Sequence, residues 1–211
     1  VILTCGTGGF LVSAFYYVKN NSTENQLNIF KQHRIFGIEQ QSNVASLSVI
    51  NMIFRGDGRN NIINDNCLAR ALSSKIIQNN QSAEFVSPEH ENKKNPITKV
   101  LMNPPFALDK TDEKEYRFID HALNQMEDGG MLFSILPCSA MVKQGGYKEW
   151  RERLLKCNTL TSVITFSPEL FYPQSAPPTL GIIIKKGIPH AKEQKVLWIR
   201  ALNDGYRKVK G

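Results

Sequence analysis

The chain has 211 residues, of which 41% are hydrophobic, and it carries a formal net charge of +7 at pH 7. This length and apolar content suffice for one sizeable core, so we expect residues 1–211 to form a single domain. No apolar run approaches the ~20 residues of a membrane-spanning helix, so we expect no membrane partner. The positive charge favours a polyanionic partner, although a solvated basic surface explains it nearly as well.

The cysteines and histidines are scattered along the chain. Neither set shows the paired spacing of a zinc site. We therefore predict no metal site, and we expect thiols that stay reduced in an intracellular, cytoplasmic protein. The cysteines are Cys5, Cys67, Cys138 and Cys157, and the histidines are His33, His90, His121 and His190.

A glycine-rich loop stands near the start of the chain. Val1-Ile2-Leu3 indicates the end of a buried strand, and Thr4-Cys5-Gly6-Thr7-Gly8-Gly9 follows it. Apolar residues at helical spacing from Phe10 to Tyr17 predict a helix directly afterwards. Strand, glycine loop and helix in this order allow the backbone to approach a nucleotide closely. Dinucleotides and phosphates use such loops as well, so the loop alone does not select a ligand.

An acidic residue ends the second predicted strand. The segment Arg34-Ile35-Phe36-Gly37-Ile38 predicts that strand, and Glu39 follows it. In nucleotide-binding α/β folds an acid at this point grips ribose hydroxyls. The alternative is an ordinary acid at the start of a helix, where the helix dipole favours a negative charge.

Three further segments lie between residues 20 and 69. Residues 20–26 are polar and predict a loop, whereas residues 44–54 predict an amphipathic helix. Residues 61–63 predict a short third strand that leads to Asp65 and Asn66. Either of these side chains could contact a ligand or cap the turn. The apolar stripe of the helix consists of Val44, Leu47, Ile50 and Phe54.

The most informative stretch is Asn103-Pro104-Pro105-Phe106, which follows the apolar run Val100-Leu101-Met102. An apolar run that ends in two prolines predicts a buried strand and a stiff turn. The prolines remove two amide donors, Asn103 adds an acceptor oxygen, and Phe106 offers a flat apolar face. Acceptors beside a stacking surface suit a planar substrate with an exocyclic amino group. The alternative is a strand-ending turn with a buried phenylalanine.

The second half of the chain continues the alternation of helices and strands. Asp112 and Glu115 predict a capping box, followed by a helix that Gly129-Gly130 ends. A second helix follows Gly145-Gly146 and is predicted to turn its apolar side chains inward. The predicted inward residues are Tyr147, Trp150 and Leu154, and the predicted strands are residues 131–137, 160–166, 180–184 and 196–199.

This order of elements predicts an α/β fold with a mostly parallel sheet and helices on both faces. The last strands have little helical sequence between them, which predicts one antiparallel strand. Residues 70–95 are polar and show no clear period. Residues 168–178 predict a proline-rich loop that contains Phe171 and Tyr172.

Two of these motifs resemble those of a known family. Asn103-Pro104-Pro105-Phe106 after a hydrophobic strand resembles the catalytic motif of methyltransferases that act on the amino group of adenine in DNA. The loop Thr4-Cys5-Gly6-Thr7-Gly8-Gly9 with Phe10-Leu11-Val12 resembles the cofactor loop of modification subunits of type I restriction systems. The resemblance implies a Rossmann-like, S-adenosylmethionine-dependent methyltransferase fold with seven strands, one of them antiparallel. It also implies methyl transfer to adenine N6 within a restriction–modification system.

The resemblance assigns roles to the turn after the central strand. The side chain of Asn103 and the carbonyl of Pro104 are expected to accept hydrogen bonds from the target amino group, with Pro105 as part of the same catalytic motif. Phe106 is expected to stack on the flipped base, since chemistry on a base edge requires its removal from the stack. On the late proline-rich loop, Phe171 or Tyr172 is expected to flank that base.

The resemblance also implies a cofactor site. The residues expected to bind S-adenosylmethionine in the loop are Thr4, Cys5, Gly6, Thr7, Gly8 and Gly9. Glu39 is expected to bind the ribose, and Asp65 or Asn66 the adenine. The family usually carries Asp-Pro where this chain has Ile2-Leu3, and in the family that aspartate helps to hold the amino-acid end of the cofactor.

The expected partners are DNA together with specificity and restriction subunits or additional domains. The helical domain that precedes the core in relatives and a target-recognition segment are not discernible here, so we expect a fragment of the complete enzyme. Two alternatives stay open. One is a methyltransferase for RNA or a protein glutamine, in which the aromatic residue of the motif is usually tyrosine. The other is a non-catalytic subunit that kept the fold, which Ile2-Leu3 and Asn66 favour.

Overall fold

The structure is a computed structural model that describes residues 1–56, 61–69, 97–107, 111–167, 170 and 178–203. Helices and strands alternate along these residues. The helices are α1 (Gly9–Asn21), α2 (Glu24–His33), α3 (Ser42–Ile53), α4 (Glu115–Gln125), α5 (Ser139–Val142) and α6 (Gly146–Cys157), with a short 3₁₀ helix at Cys67–Ala69. The strands are β1 (Gly37–Glu39), β2 (Ile62–Asn64), β3 (Ile97–Met102), β4 (Met126–Pro137), β5 (Thr159–Thr165), β6 (Thr179–Lys185) and β7 (Leu197–Arg200).

The strands form a mixed sheet in two parts that meet at Ile2. One part has the order β3-β4-β6-β5-β7, and the other is the pair β1-β2. Ile2 forms parallel bridges to Gly37 on one side and to Leu101 on the other. Among the described strands, only β6 runs antiparallel to its neighbours. The predicted α/β architecture with one antiparallel strand is therefore confirmed for the part of the chain that the structure describes.

Helices cover both faces of the sheet, as predicted. Side chains of β3 alternate between the two faces, because successive residues of a strand point in opposite directions. Val100 and Met102 join a core cluster that contains Trp150 of α6 and residues of α4. Leu101 packs against a second cluster, which contains Phe15 of α1. No helix within the described ranges is both long and apolar enough to span a membrane.

The predicted loop at residues 20–26 is wrong. Helix α1 continues to Asn21, and α2 begins at Glu24. The side chain of Thr23 accepts a hydrogen bond from the amide of Gln26, whose own side chain accepts from the amide of Thr23. This reciprocal capping box starts a helix in a stretch whose polar composition suggested a loop.

Three residues of the predicted apolar stripe face outward, namely Leu47, Ile50 and Phe54, whereas Val44 is half-buried. Leu47 is 51% exposed and Phe54 is 82% exposed, whereas Ala45 and Ser48 are buried. The small side chains allow the helix to approach the glycine loop, where the hydroxyl of Ser48 lies 3.8 Å from the sulfur of Cys5. The helix was correctly predicted from its period, but its buried face is formed by Ala45, Ser48 and Met52 and not by the predicted stripe.

The capping box predicted at Asp112 and Glu115 is wrong as well. Helix α4 has Lys114 at its N-cap without a side-chain capping bond, and Glu115 is buried. The helix ends at Gln125, before Gly129-Gly130, because β4 already begins at Met126. In α6 the predicted inward face is observed, with Trp150 fully buried.

Candidate functional site

A cleft of about 690 Å³ lies at the carboxyl ends of the parallel strands around Ile2. Ligands of open α/β sheets bind at this edge, because the loops after neighbouring strands converge there. The cleft brings together the glycine loop, the ends of β1 and β2, and the turn after β3. Its lining residues are Leu3, Thr4, Gly6, Ile38, Glu39, Gln40, Gln41, Val44, Asp65, Asn66, Cys67, Asn103, Pro105 and Phe118.

Two glycines shape the loop for different reasons. Gly6 has φ +55° and Gly8 has φ +93°, a region that favours glycine. A Cβ atom on Gly6 would meet no atom within 4 Å, so this residue leaves open space beside the cleft. A Cβ atom on Gly8 would lie 2.7 Å from the hydroxyl oxygen of Ser48. Gly8 therefore allows α3 to pack against the loop.

The carboxylate of Glu39 connects the glycine loop to the end of β1. Its Oε2 accepts a hydrogen bond from the amide of Gly6 at 3.0 Å, and its Oε1 accepts one from the amide of Gln41 at 3.0 Å. Gln41 is the N-cap residue of α3. Glu39 lines the cleft, as a ligand-binding acid would, and it also accepts a hydrogen bond at the start of a helix. Both interpretations of this residue therefore have a structural basis.

Asp65 and Asn66 both line the cleft and both organise the turn after β2. Asp65 Oδ1 accepts from the amide of Asn66 at 2.7 Å, and Asn66 Oδ1 accepts from the amide of Leu68 at 3.0 Å. The predicted capping role is therefore observed for both side chains. Their position at the wall of the cleft leaves the ligand-binding role open to either one.

Two buried oxygen atoms at the cleft have no hydrogen-bond partner among the described residues. They are Asn103 Oδ1 and Thr4 Oγ1. Leaving a buried polar atom unpaired costs about 1–3 kcal/mol, so such atoms require an explanation. Both residues line the cleft, and a bound ligand with suitable hydrogens would satisfy them. This is the feature that fits a substrate amine at Asn103.

The other residues of the turn differ in their exposure. Pro104 is buried, Pro105 is exposed at the cleft, and Phe106 is half-buried. Phe106 is not among the lining residues of the cleft. Phe171 and Tyr172 lie outside the described residues.

Some of the predicted loop residues lie away from the cleft. Cys5 is buried and Gly9 begins α1. Thr7 is exposed, and its carbonyl oxygen accepts a hydrogen bond from the side chain of Asn51 at 2.8 Å. Of the six loop residues predicted to bind a cofactor, Thr4 and Gly6 line the cleft. The others shape the loop from behind or from the side.

Two buried thiols near the cleft are poor nucleophiles. Burial raises the pKa of Cys5 to about 11 and that of Cys67 to about 12, and the negative charge of Glu39 adds to both shifts. Both groups are therefore protonated at neutral pH. Across the described ranges, no three His, Cys, Asp or Glu side chains converge in a way that could hold a metal ion.

Sequence reasoning missed part of the cleft wall. Gln40 and Gln41 directly follow Glu39, and this adjacency was the available signal. Val44 was assigned only to the apolar stripe of a helix, and Phe118 comes from α4, which no motif connected to the site. Their place in the wall depends on how α3 and α4 pack, which the local sequence does not reveal.

Comparisons with known proteins show the family to which the chain belongs. Residues 3–210 match the family described as N-6 DNA Methylase. The chain is 34% identical over 208 residues to the type II restriction enzyme and methyltransferase RM.BcgI of Heyndrickxia coagulans, covering 96% of this chain and 30% of that protein. It is 25% identical over 202 residues to the type I restriction enzyme EcoEI methylase subunit of Escherichia coli, covering 88% of this chain and 37% of the subunit.

A solved structure shares the fold. The type I restriction-modification system methyltransferase subunit of Streptococcus thermophilus superposes with a TM-score of 0.68 at 21% identity, covering 99% of this chain and 44% of that one. The motifs, the cleft and the family match together identify the class. The chain belongs to the N-6 DNA methylase family. It spans about a third of the length of the two sequence relatives named above.

Proposed function

We propose that this chain is the catalytic core of a DNA methyltransferase that transfers a methyl group from S-adenosylmethionine to N6 of adenine within a restriction–modification system. The observation that carries the proposal is the buried, unpartnered Asn103 Oδ1 in the same cleft as Gly6 and Glu39. An acceptor for an amine and a candidate nucleotide cradle therefore share one space. The family match supports the same reaction.

The cofactor would be held along the wall formed by the segments that follow Leu3, β1 and β2. Glu39 would bind the ribose hydroxyls, and Asp65 or Asn66 the adenine. The loop residues Thr4 and Gly6 would face the amino-acid end, since they stand closest in sequence to the Ile2-Leu3 pair that replaces the family's Asp-Pro. The unpartnered hydroxyl of Thr4 fits a polar ligand here. Cys5, Thr7, Gly8 and Gly9 would contribute by fixing the shape of the loop.

When bound, S-adenosylmethionine supplies a methyl group on a positively charged sulfur, which leaves as a neutral thioether as the amine nitrogen takes the methyl. The chain's own contribution is to make that nitrogen available. The lone pair of an aromatic amine is delocalised into its ring. Asn103 Oδ1 and the carbonyl of Pro104 would accept the two N–H hydrogens, which raises the electron density on nitrogen and fixes its orientation. A neutral amide is too weak a base to keep the proton that the methylated nitrogen sheds, so this proton passes to water.

The base would be held outside the duplex by aromatic stacking. Phe106 would contact one face of the flipped adenine, and Phe171 or Tyr172 the other. Stacking of a base on an aromatic side chain contributes about 1–3 kcal/mol. Pro105 lines the cleft and would limit the space available to a ligand there.

The remaining assignments follow from this role. We propose that residues 1–211 form one catalytic domain. We also propose that Val1-Ile2-Leu3 together with β1 to β6 makes up the seven strands of the methyltransferase sheet, with β7 as an additional edge strand. The described thiols are free, which supports a cytoplasmic location beside cellular DNA. The relatives named as methylase subunits support assembly with specificity and restriction subunits or equivalent domains.

The test uses the complete enzyme with its partner subunits or domains and a hemimethylated duplex that carries its recognition site. Calorimetry measures the binding of S-adenosylmethionine, and mass spectrometry of digested DNA measures N6-methyladenine. We expect both binding and product. Absence of cofactor binding would support a non-catalytic subunit. Cofactor binding with methylation of RNA or of a glutamine-containing peptide, but not of DNA, would contradict the proposed substrate.

A further inference from the structure

A buried carboxyl group lies directly behind the Asn103–Phe106 turn. Glu115 is the first residue of α4, and only 1% of its surface is exposed. Burying such a group is costly unless its oxygens are hydrogen-bonded. Glu115 does not line the cleft. Its retention in the interior therefore requires a reason other than direct contact with a ligand in the cleft.

Both oxygens of Glu115 have a donor. Oε1 accepts a hydrogen bond from the backbone amide of Ala107 at 2.9 Å, and Oε2 accepts one from the hydroxyl of Tyr147 at 2.6 Å. Ala107 is the residue that immediately follows Phe106. The carboxyl group thus joins the end of the candidate catalytic turn to α6, from which Tyr147 comes.

The far end of this connection packs against aromatic side chains. The ring of Tyr147 packs edge-on against Tyr116 at 5.2 Å, and Tyr116 stacks on Trp150 at 5.7 Å. The indole nitrogen of Trp150 donates to Asp120 at 3.0 Å. Burial, together with the bond to Glu115, raises the pKa of Tyr147, so its hydroxyl stays protonated and remains a donor. Glu115 is therefore held by a packed aromatic cluster of α4 and α6.

We propose that Glu115 is a positioning residue that fixes the backbone at Ala107 and thereby holds Asn103 and Phe106 in the geometry that methyl transfer requires. The prolines within the turn make this attachment effective. Pro104 and Pro105 have fixed φ angles, so anchoring the turn at Ala107 restrains the whole segment back to β3. The catalytic consequence rests on the proposed function, whereas the anchoring itself does not.

The anchoring is tested by amide hydrogen exchange in the complete enzyme. Prolines carry no amide hydrogen, so exchange between residues 104 and 107 reports on Phe106 and Ala107 alone. We expect Glu115→Ala to accelerate this exchange about tenfold or more, because the amide loses its acceptor. Tyr147→Phe keeps the ring and should accelerate it less. The matched control is Glu113→Gln, two residues away, whose exposed carboxylate pairs with Arg117; this control should leave the exchange unchanged.

The catalytic consequence is tested by separating kcat from cofactor affinity. Glu115→Ala should lower kcat about 10–100-fold, the size of effect that a small misplacement of reacting groups produces. Its Kd for S-adenosylmethionine should change less than twofold. Glu115→Gln keeps one acceptor oxygen and should recover part of the lost rate, while Glu113→Gln should retain wild-type kcat.

Exchange at residues 106–107 that does not change in Glu115→Ala would overturn the proposal. Faster exchange with an unchanged kcat would overturn the positioning role. If the amides of Glu115→Ala exchange rapidly throughout α4 and α6, the substitution has damaged the fold. The milder variants Tyr147→Phe and Glu115→Gln then test the proposal, through amide exchange at residues 106–107 and through kcat. If the wild-type enzyme transfers no methyl group to DNA, the proposed function fails. The effect of Glu115→Ala on amide exchange at Ala107 would still show whether Glu115 anchors the turn.

Discussion

The Oε2 atom of Glu39 accepts a hydrogen bond from the amide of Gly6 at 3.0 Å. The acid proposed to bind ribose is thus tied to the glycine loop by a hydrogen bond within the chain. One carboxylate both shapes the wall of the cleft and offers a charge to a ligand. Substitutions at Glu39 should therefore affect the loop as well as the ligand.

The first prediction concerns Glu39 itself. Glu39→Ala should weaken binding of S-adenosylmethionine by about 1–3 kcal/mol, because buried hydroxyls and the Gly6 amide lose a charged acceptor. Glu39→Gln keeps one acceptor oxygen and should lose less. Calorimetric titration gives both affinities. The matched control is Glu24→Ala, at an exposed helix start, which should bind as the wild type does; unchanged affinity in Glu39→Ala would remove Glu39 from the site.

The second prediction concerns the packing of the glycine loop. Gly8→Ala should lower the free energy of unfolding by about 1–2 kcal/mol for the positive φ alone. The contact of the new methyl group with Ser48 Oγ at 2.7 Å adds to this loss. Gly9→Ala is the control for stability, because its Cβ would meet no atom within 4 Å. Denaturant unfolding measures both. Equal stabilities of the two variants would contradict the assigned packing.

The third prediction concerns thiol reactivity. Only the thiolate form reacts with alkylating reagents, and it is scarce when the pKa is about 11 or 12, as at Cys5 and Cys67. Both should label slowly at neutral pH, and their rates should rise about tenfold per pH unit until the pH approaches these values. Exposed Cys157 should label first. Peptide mass spectrometry after timed alkylation checks the order. Fast labelling of Cys67 in the native protein would contradict its buried position.

The fourth prediction concerns base capture by Phe106. Phe106→Ala should weaken binding of the flipped base by about 1–3 kcal/mol, while Phe106→Tyr or Phe106→Trp keeps a stacking face and should lose less. The measurement is the fluorescence of a duplex with 2-aminopurine at the target position, titrated with the complete enzyme. If the alanine variant captured the base as well as the tyrosine variant, stacking by Phe106 would be excluded.

The positions of helices and strands were predictable from sequence where a single local pattern was strong. The run before Asn103 is apolar and ends in two prolines, so both the strand and its end followed from sequence. The loop prediction for residues 20–26 was wrong because it was based on polar composition, although Thr23 and Gln26 carry the capping-box signature. Asp112 and Glu115 show a similar spacing, yet Glu115 is drawn into the interior by Ala107 and Tyr147. The same local pattern therefore gives different structures when long-range partners compete for the side chain.

The site was predictable only in part for the same reason. The motifs indicated Glu39 and Asn103, which lie 64 positions apart in sequence, and the strand order explains why both line one cleft. The outward position of most of the apolar stripe of α3 could not be foreseen, because the choice of buried face depends on the fit of Ser48 against Gly8. The contribution of Phe118 depends on the packing of α4. Such contacts join distant residues and leave no trace in local spacing.

The central claim is that Asn103 Oδ1 accepts a hydrogen bond from the target amine. The most direct measurement is single-turnover methylation of a hemimethylated duplex by the complete enzyme carrying Asn103→Ala, with Asn124→Ala on the exposed face of α4 as the matched control. We expect the rate of Asn103→Ala to fall by about 10³-fold, affinity for S-adenosylmethionine to stay nearly intact, and Asn124→Ala to match the wild type. Asn103→Asp keeps an acceptor oxygen but introduces a charge that is costly to bury, so it should retain at most partial activity. Methylation by Asn103→Ala at the wild-type rate, with the cofactor bound normally, would contradict the account.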